Sequence, residues 1–328
     1  MKYRVLAELL AVRALVLVVL ALCSALGLYV GKRGADMRAF KLARANGEYE
    51  NAPSCPTVIQ SKEEKLQSKE LDEVSGMAAS RRQRDLFWVH NDSGDDARIF
   101  AVRRDGELRA EVVLDGIDAR DFEDISLHGD TLYVADTGNN LKRRASVQIH
   151  VLPEPRIPRE GTAVKLHRTP RTVEITYDDG RHDVEAMLVD ARGDVYLVHK
   201  SHPLAYIEKV GVYRVTAAEM KQKRAVARLV AQLPVGPATA ADVSPDGREL
   251  AVRNYFGALW WKLADGESPL DAFKRPPCRF WLREYGLQGE SLTFLPDGSG
   301  FLTLSEGKHP HIVKYTYGPP EAPQLSPR

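Results

Sequence analysis

A short motif recurs five times along this chain, and its period restricts the folds open to it. The copies are Ser75-Gly76-Met77-Ala78, Glu123-Asp124-Ile125-Ser126, Glu185-Ala186-Met187-Leu188, Ala241-Asp242-Val243-Ser244 and Glu290-Ser291-Leu292-Thr293. Their first residues lie 48, 62, 56 and 49 positions apart. Each copy reads as a short apolar strand with a polar residue near its start. A turn and a second apolar strand follow, at 86–91, 132–136, 195–199, 250–254 and 301–305. His128-Gly129-Asp130, Gly193-Asp194, Asp246-Gly247 and Asp297-Gly298 supply the turns, because glycine and aspartate tolerate hairpin backbone angles. Third and fourth strands are expected at 98–102 and 108–114, 147–152 and 172–177, 212–215 and 227–233, and 258–263 and 279–285. The fifth copy has a third strand at 312–317, and residues 57–60 are expected to supply its fourth.

A four-stranded unit repeating at this period is the signature of a propeller. The expectation is therefore an all-β fold: a β-propeller of five blades, each of four antiparallel strands, spanning 55–318, with a disordered Pro-rich tail at 319–328. A β-sandwich or a two-domain chain does not explain five copies of one segment. No Trp-Asp or Gly-His pattern recurs, so the repeat is not of the WD40 type.

The N-terminus is different in kind. Residues 14–30 form an uncharged apolar run, preceded by Lys2, Arg4 and Arg13 and followed by Lys32 and Arg33. At about 1.5 Å per residue it spans about 25 Å, close to the thickness of a hydrocarbon core. Residues 1–30 thus read as a transmembrane signal anchor or a signal peptide. Leu22 before Cys23, and the lack of an Ala-x-Ala site, favour the uncleaved anchor. Residues 31–54 read as a polar linker. The expected location is the cell envelope, with the propeller held outside the cytoplasmic membrane; secretion after cleavage is the alternative. Cys55 and Cys278 stand near the two ends of the folded region, either as a bridge or as two unrelated thiols. Lys and Arg number 46 against 45 Asp and Glu, with no basic block interleaved with aromatics, so nucleic acid is excluded as a partner.

Nucleophile elbows, His-Glu-x-x-His, Cys-x-x-Cys, dinucleotide and Walker motifs are absent from the sequence. The informative set is the repeat position itself. In a propeller the first strand of each blade lines the channel, so Ser75, Glu123, Glu185, Ala241 and Glu290 should converge on the axis. Two unit charges at 4 Å repel by about 4 kcal/mol at an effective dielectric of about 20, so three carboxylates there need neutralising. A bound cation, raised pKa values or basic partners such as Lys200 and Arg253 would each do it. A donor set of oxygens, without thiolate or imidazole, suits Ca²⁺. The ends of the second strands should ring one mouth of the channel and offer polar contacts to a ligand: Asn91, Asp92, Asp136, His199, Lys200, Arg253, Asn254 and Glu306.

The order Ser, Glu, Glu, small residue, Glu on first strands at these intervals resembles the five-bladed calcium-activated nucleotidase (apyrase) family. That resemblance implies an axial Ca²⁺ held by Ser75, Glu123, Glu185 and Glu290. Ala241 stands where the family has serine, so its backbone carbonyl would be the ligand, and no Asp-Leu-Asp segment precedes Ser75. The strings Asp121-Phe122-Glu123-Asp124-Ile125, Tyr133 to Asn140 and Asp183-Val184-Glu185-Ala186-Met187 also resemble a group of bacterial envelope propellers with no assigned reaction. Two functions are expected from this reading. The first is a membrane-tethered envelope propeller that binds a small anionic ligand or an envelope protein. The alternative is a calcium-dependent hydrolase of phosphoanhydrides or esters, with Asp92 or Asp136 orienting water.

Overall fold

The computed structural model describes residues 53–201, 209–255, 257–282, 289–307 and 310–318. The apolar run 14–30, most of the linker and the tail lie outside these residues. No described helix is long and apolar enough to cross a membrane.

The strands, in chain order, are β1 (Val58–Lys65), β2 (Val74–Ala79), β3 (Leu86–Asn91), β4 (Arg98–Arg103), β5 (Leu108–Leu114), β6 (Phe122–His128), β7 (Thr131–Asp136), β8 (Val147–Pro153), β9 (Val164–Arg168), β10 (Arg171–Tyr177) and β11 (Val184–Val189). They continue with β12 (Val195–His199), β13 (Val210–Val215), β14 (Arg224–Leu233), β15 (Ala238–Val243), β16 (Glu249–Asn254), β17 (Gly257–Lys262), β18 (Cys278–Trp281), β19 (Gly289–Phe294), β20 (Gly300–Ser305) and β21 (His311–Tyr317). They form sheets in the orders β2-β3-β4-β5-β9, β6-β7-β8-β10-β14-β13-β12-β11, β15-β16-β17-β18 and β19-β20-β21-β1.

The strands that open each unit, β2, β6, β11, β15 and β19, touch one another in a closed cycle, β19 returning to β2. They are almost wholly buried, and much of their sequence is small: Gly76, Ala78, Ala79, Ala186, Ala238, Ala240 and Gly289. Small side chains let the strands approach a common axis, while larger residues further out fill the wedges between neighbouring sheets. One wedge holds Trp88, Ile99, Leu132 and Val134, the next Ile149, Val173, Val195 and Tyr213, and the next Tyr196, Val212, Val252 and Trp261. Trp260, Phe294, Phe301 and Tyr315 fill another, and Phe87, Phe100, Leu302 and Leu304 close the ring. A radial set of antiparallel sheets around an axis, with apolar wedges between them, is a β-propeller.

Ring closure uses the expected swap. β1 pairs antiparallel with β21, from Val58 opposite Tyr317 to Lys65 opposite His311. The outer edges depart from purely antiparallel blades. β9, which was not foreseen, adds to β5 in parallel, and β10 pairs in parallel with β14, so neighbouring units share hydrogen bonds at the rim. The Cys55–Cys278 disulfide exists, with Cα atoms 5.1 Å apart across 223 residues of sequence. It joins the segment entering β1 to β18, so it clasps the outer edges of two adjacent units. Inner strands begin at one face, called upper here, and turn back at the lower face through tight loops. Gly247 and Gly298 adopt φ of +70° and +67° in two of these loops, a left-handed conformation that other residues rarely accept.

Candidate metal centre

Each inner strand carries a β-bulge near its upper end. Ladder register breaks between Val74 and Gly76, Phe122 and Asp124, Val184 and Ala186, Ala238 and Ala240, and Gly289 and Ser291. The residues left out of the ladder are Ser75, Glu123, Glu185, Thr239 and Glu290. A bulge re-aims the extra residue, and its repetition gathers equivalent side chains at the channel mouth. This corrects the sequence alignment in one unit: the fourth position belongs to Thr239, two residues before Ala241. Ala241 lies in regular pairing opposite Val252, and its N–H donates to Asp124 Oδ2 at 3.4 Å. Thr239 Oγ1 donates to the Gly289 carbonyl at 2.7 Å, and Ser75 Oγ to the Glu123 carbonyl at 3.0 Å. Both hydroxyls therefore tie one inner strand to the next.

Carboxylate oxygens of Glu123, Asp183 and Glu185, all buried, lie within 4.8 Å of one another. So do those of Asp92, Asp121 and Glu123, which makes Glu123 common to both groups. Asp121 and Asp183 each precede an axial glutamate by two residues, the spacing that returns side chains to one face of an extended chain. Gly138, just after β7, makes the crowding sterically feasible. A Cβ there would lie 2.2 Å from Glu123 Oε1 and 2.3 Å from Asp121 Oδ2. The next residue contributes a backbone donor, Asn139 N–H to Asp183 Oδ1 at 2.6 Å.

Charge in this cluster is under-neutralised. Burial, then the charges of Glu185, Asp92 and Asp121, hold the Glu123 carboxyl well above the usual range. Burial does the same to Glu185, with Glu290 adding to it and Lys200 opposing. Burial and the neighbouring Asp92 and Asp183 push Asp121 up to about 6. Asp183 is also raised by burial, in spite of the Asn139 hydrogen bond. Lys200 is ion-paired with Glu185 and lies 5.3 Å from the centre of the Tyr255 ring. Arg144 is committed to Asp136 at 2.7 Å. Five carboxylates, a cradle that a Cβ would fill and an all-oxygen donor set fit a hard divalent cation.

The expected mouth residues divide into two kinds. Asp92 and Lys200 reach the cluster. The others whose contacts are described serve the framework. Asn91 Nδ2 donates to the Glu70 carbonyl at 2.7 Å and to Asp95 Oδ2 at 2.8 Å. Asp136 is fully buried; burial opposes its ionisation, but His150 and Arg144 outweigh that and lower its pKa. It accepts from the Arg120 and Asp121 N–H groups at 3.3 and 3.2 Å, so it positions the acidic segment and does not itself line the mouth. His199 Nδ1 accepts from Gly211 N–H at 2.8 Å, and burial and His182 lower the imidazole to about 4. Arg253 is buried and donates from Nη1 to the Ser291 carbonyl at 2.6 Å. Asn254 Nδ2 donates to the Val235 carbonyl at 2.7 Å. Glu306, half-buried, follows β20 on the upper face.

Deeper along the axis, two further acids, the buried Asp124 and the half-buried Asp242, pin the strands together. Asp124 Oδ2 accepts from Met187 N–H at 2.8 Å, and Asp242 Oδ2 accepts from Phe294 N–H at 2.9 Å. Burial raises both, Asp242 to about 6. Asp121, Asp183, Gly138 and Thr239 were not singled out as site residues from the sequence. The repeated Asp-x-Glu step was the signal available for the first two.

No family model matches the chain, and no curated protein matches it. Among solved structures, a chain of a nidogen/laminin complex is similar at a TM-score of 0.42 and 14% identity, covering 71% of this chain and 72% of that one. A gluconolactonase from Xanthomonas campestris is similar at a TM-score of 0.43 and 10% identity, covering 80% of this chain and 100% of the other. These are distant likenesses of fold.

Proposed function

We propose that this chain is a five-bladed β-propeller that binds Ca²⁺ at the upper mouth of its channel and uses that site to recognise an oxygen-rich ligand or an envelope partner. The observation that carries the reading is the buried triangle of Glu123, Asp183 and Glu185, opened by Gly138. A bound cation would supply the positive charge that this cluster lacks, and an electrostatic hold on a ligand oxygen. Glu123, Glu185, Asp121, Asp183 and Asp92 are the residues to hold it, with the Ser75 and Thr239 hydroxyls on the same ring of bulges. Lys200 already neutralises Glu185 and offers an ammonium at the edge of the site. The propeller is further proposed to be exported and tethered by residues 14–30; the disulfide supports this, since such bonds persist in oxidising compartments.

A second reading, a calcium-dependent hydrolase of phosphoanhydrides or esters, is favoured by Asp121. Where the cation is held by the other four carboxylates, the raised Asp121 carboxyl at the rim of the cluster is suited to accept a proton near neutral pH. The test is a screen of the purified full chain, with calcium, against nucleoside di- and triphosphates, phosphomonoesters and lactones, alongside Glu185→Gln. Binding without turnover supports the recognition reading. Turnover abolished by the substitution replaces it with the hydrolase. Reporter fusions at residue 328 test export: activity of a cytoplasmic reporter there, with alkaline phosphatase silent, contradicts it.

A further inference from the structure

The lower face carries a feature of opposite sign that the axial site does not use. The turn from β2 to β3 holds Arg81, Arg82 and Arg84, and with Arg104 from the turn after β4 these line a groove of about 420 Å³. Asp85 and Asp297 are the acids in its wall, so the lining has two more cations than anions. Both acids are already engaged. Asp85 takes Arg84 at 3.4 Å and Arg104 at 2.9 Å, while Asp297 Oδ1 accepts from the Ser299 N–H at 3.0 Å and its hydroxyl at 2.6 Å. Arg82 is paired with Asp130. Arg81 makes no salt bridge among the described residues, though its charge acts on the nearby Asp242 carboxyl, and the buried Arg104 Nε–H finds no acceptor there.

The groove wall is built rather than incidental. Asp85 sits at φ +59°, a left-handed conformation costly for a residue other than glycine, and persists because its surroundings over-determine it. Arg104 N–H donates to the Asp85 carbonyl at 3.2 Å, and Ser80 and Leu86 close the turn at 2.9 Å. Gln83 straps the same turn to the next unit: its Nε2 donates to the Pro155 carbonyl at 2.9 Å, and its Oε1 accepts from Ile157 N–H at 2.7 Å.

We propose that this groove is a second binding site, for phosphate groups, independent of the axial cation. Guanidinium forks match tetrahedral oxyanions in pairs of hydrogen bonds, and a wall with surplus positive charge favours a multiply charged anion. Two sources present that chemistry: a soluble phosphate compound, or the headgroups of a bilayer. The second is relevant because the domain's described ends lie on this face. Gly318 N–H donates to the Thr57 carbonyl at 2.8 Å and Tyr317 N–H to the Ser299 carbonyl at 3.0 Å, in the turn that also supplies Asp297.

The full chain in detergent micelles, in calcium-free buffer, is titrated calorimetrically with inorganic pyrophosphate. In parallel, hydrogen exchange of residues 80–85 is measured in nanodiscs of phosphatidylglycerol and of phosphatidylcholine. For a soluble source, pyrophosphate binds the wild type and Glu123→Gln alike, and Arg81→Glu/Arg84→Glu binds at least tenfold more weakly. For a headgroup source, exchange at 80–85 slows in phosphatidylglycerol only, and the double substitution abolishes the slowing. Arg84 has 91% of its side chain exposed and Arg81 is exposed, so the double variant keeps its fold, checked by its circular dichroism spectrum, with a melting temperature lowered by the charge placed near Asp242. No pyrophosphate binding together with no lipid-dependent protection overturns the proposal. So does binding or protection that survives the double substitution. Pyrophosphate binding lost in Glu123→Gln assigns the anion to the axial site and likewise overturns it.

Discussion

A Cβ placed on Gly138 would stand 2.2 Å from Glu123 Oε1, so the carboxylate occupies the space that any larger residue at 138 would need. The colliding atoms belong to flexible side-chain ends, so Gly138→Ala should fold, at a cost of about 1–3 kcal/mol for overpacking. It should also swing Glu123 and Asp121 out of the cluster and weaken calcium binding at least tenfold. Unchanged calcium affinity in a calorimetric titration would show that Gly138 does not shape the site.

Thr239 rather than Ala241 holds the fourth bulge position, and its buried hydroxyl serves the Gly289 carbonyl. Thr239→Val keeps the shape but leaves that carbonyl without its donor, so unfolding should become easier by about 1–3 kcal/mol. Urea denaturation of the two proteins measures this, and superimposable curves would contradict it.

The acidic cluster sets a pH dependence of a definite sign. Asp121 is raised from 3.8 to about 6, and Glu123, Glu185 and Asp183 are raised as well. Between the unfolded and folded values the native state therefore binds more protons than the unfolded chain, and stability falls as pH rises. Without calcium, the melting temperature should drop from pH 4.5 to pH 7. Asp136, whose pKa is lowered, contributes in the opposite sense and loses its contribution only in more acidic solution. Calcium favours the ionised cluster, so it should flatten or invert the slope. A calcium-free melting temperature that climbs across the same interval contradicts the assignment.

Much of this was legible in the chain, for identifiable reasons. The inner strands recur because each must bring small apolar residues to one axis, and that pattern was readable as Met77-Ala78 or Ala186-Met187 at regular intervals. Closure by β1 followed from a unit short of one strand. Ala241 was misaligned because its unit has no acid to mark the bulge, and Asp242 resembles a site residue while in fact capping the Phe294 N–H. Asp136 looked like a mouth residue because it ends a strand there. Only the fold reveals that Arg144, eight residues on, returns to cover it. β9 was missed because Val164–Arg168 lies in a long connection and gains its order from β5 of another unit.

The Cys55–Cys278 bridge closes a loop of 223 residues, for which the chain-entropy account gives about 5 kcal/mol as an upper value. Cys55→Ser/Cys278→Ser should melt several degrees lower while still binding calcium, because the bridge lies at the outer rim. Equal melting of the variant and the oxidised wild type would show that β1–β21 pairing alone secures the ring.

Glu123, the residue shared by both acidic groups, is the centre of the proposed calcium site. Its most direct test is calorimetric titration of the chelator-treated full chain with calcium, comparing wild type with Glu123→Gln. The substitution keeps size and removes one charge. One calcium per chain in the wild type, weakened at least a hundredfold by Glu123→Gln, is the predicted result. No heat of binding in the wild type, or equal affinity in both proteins, rules out a calcium site at Glu123.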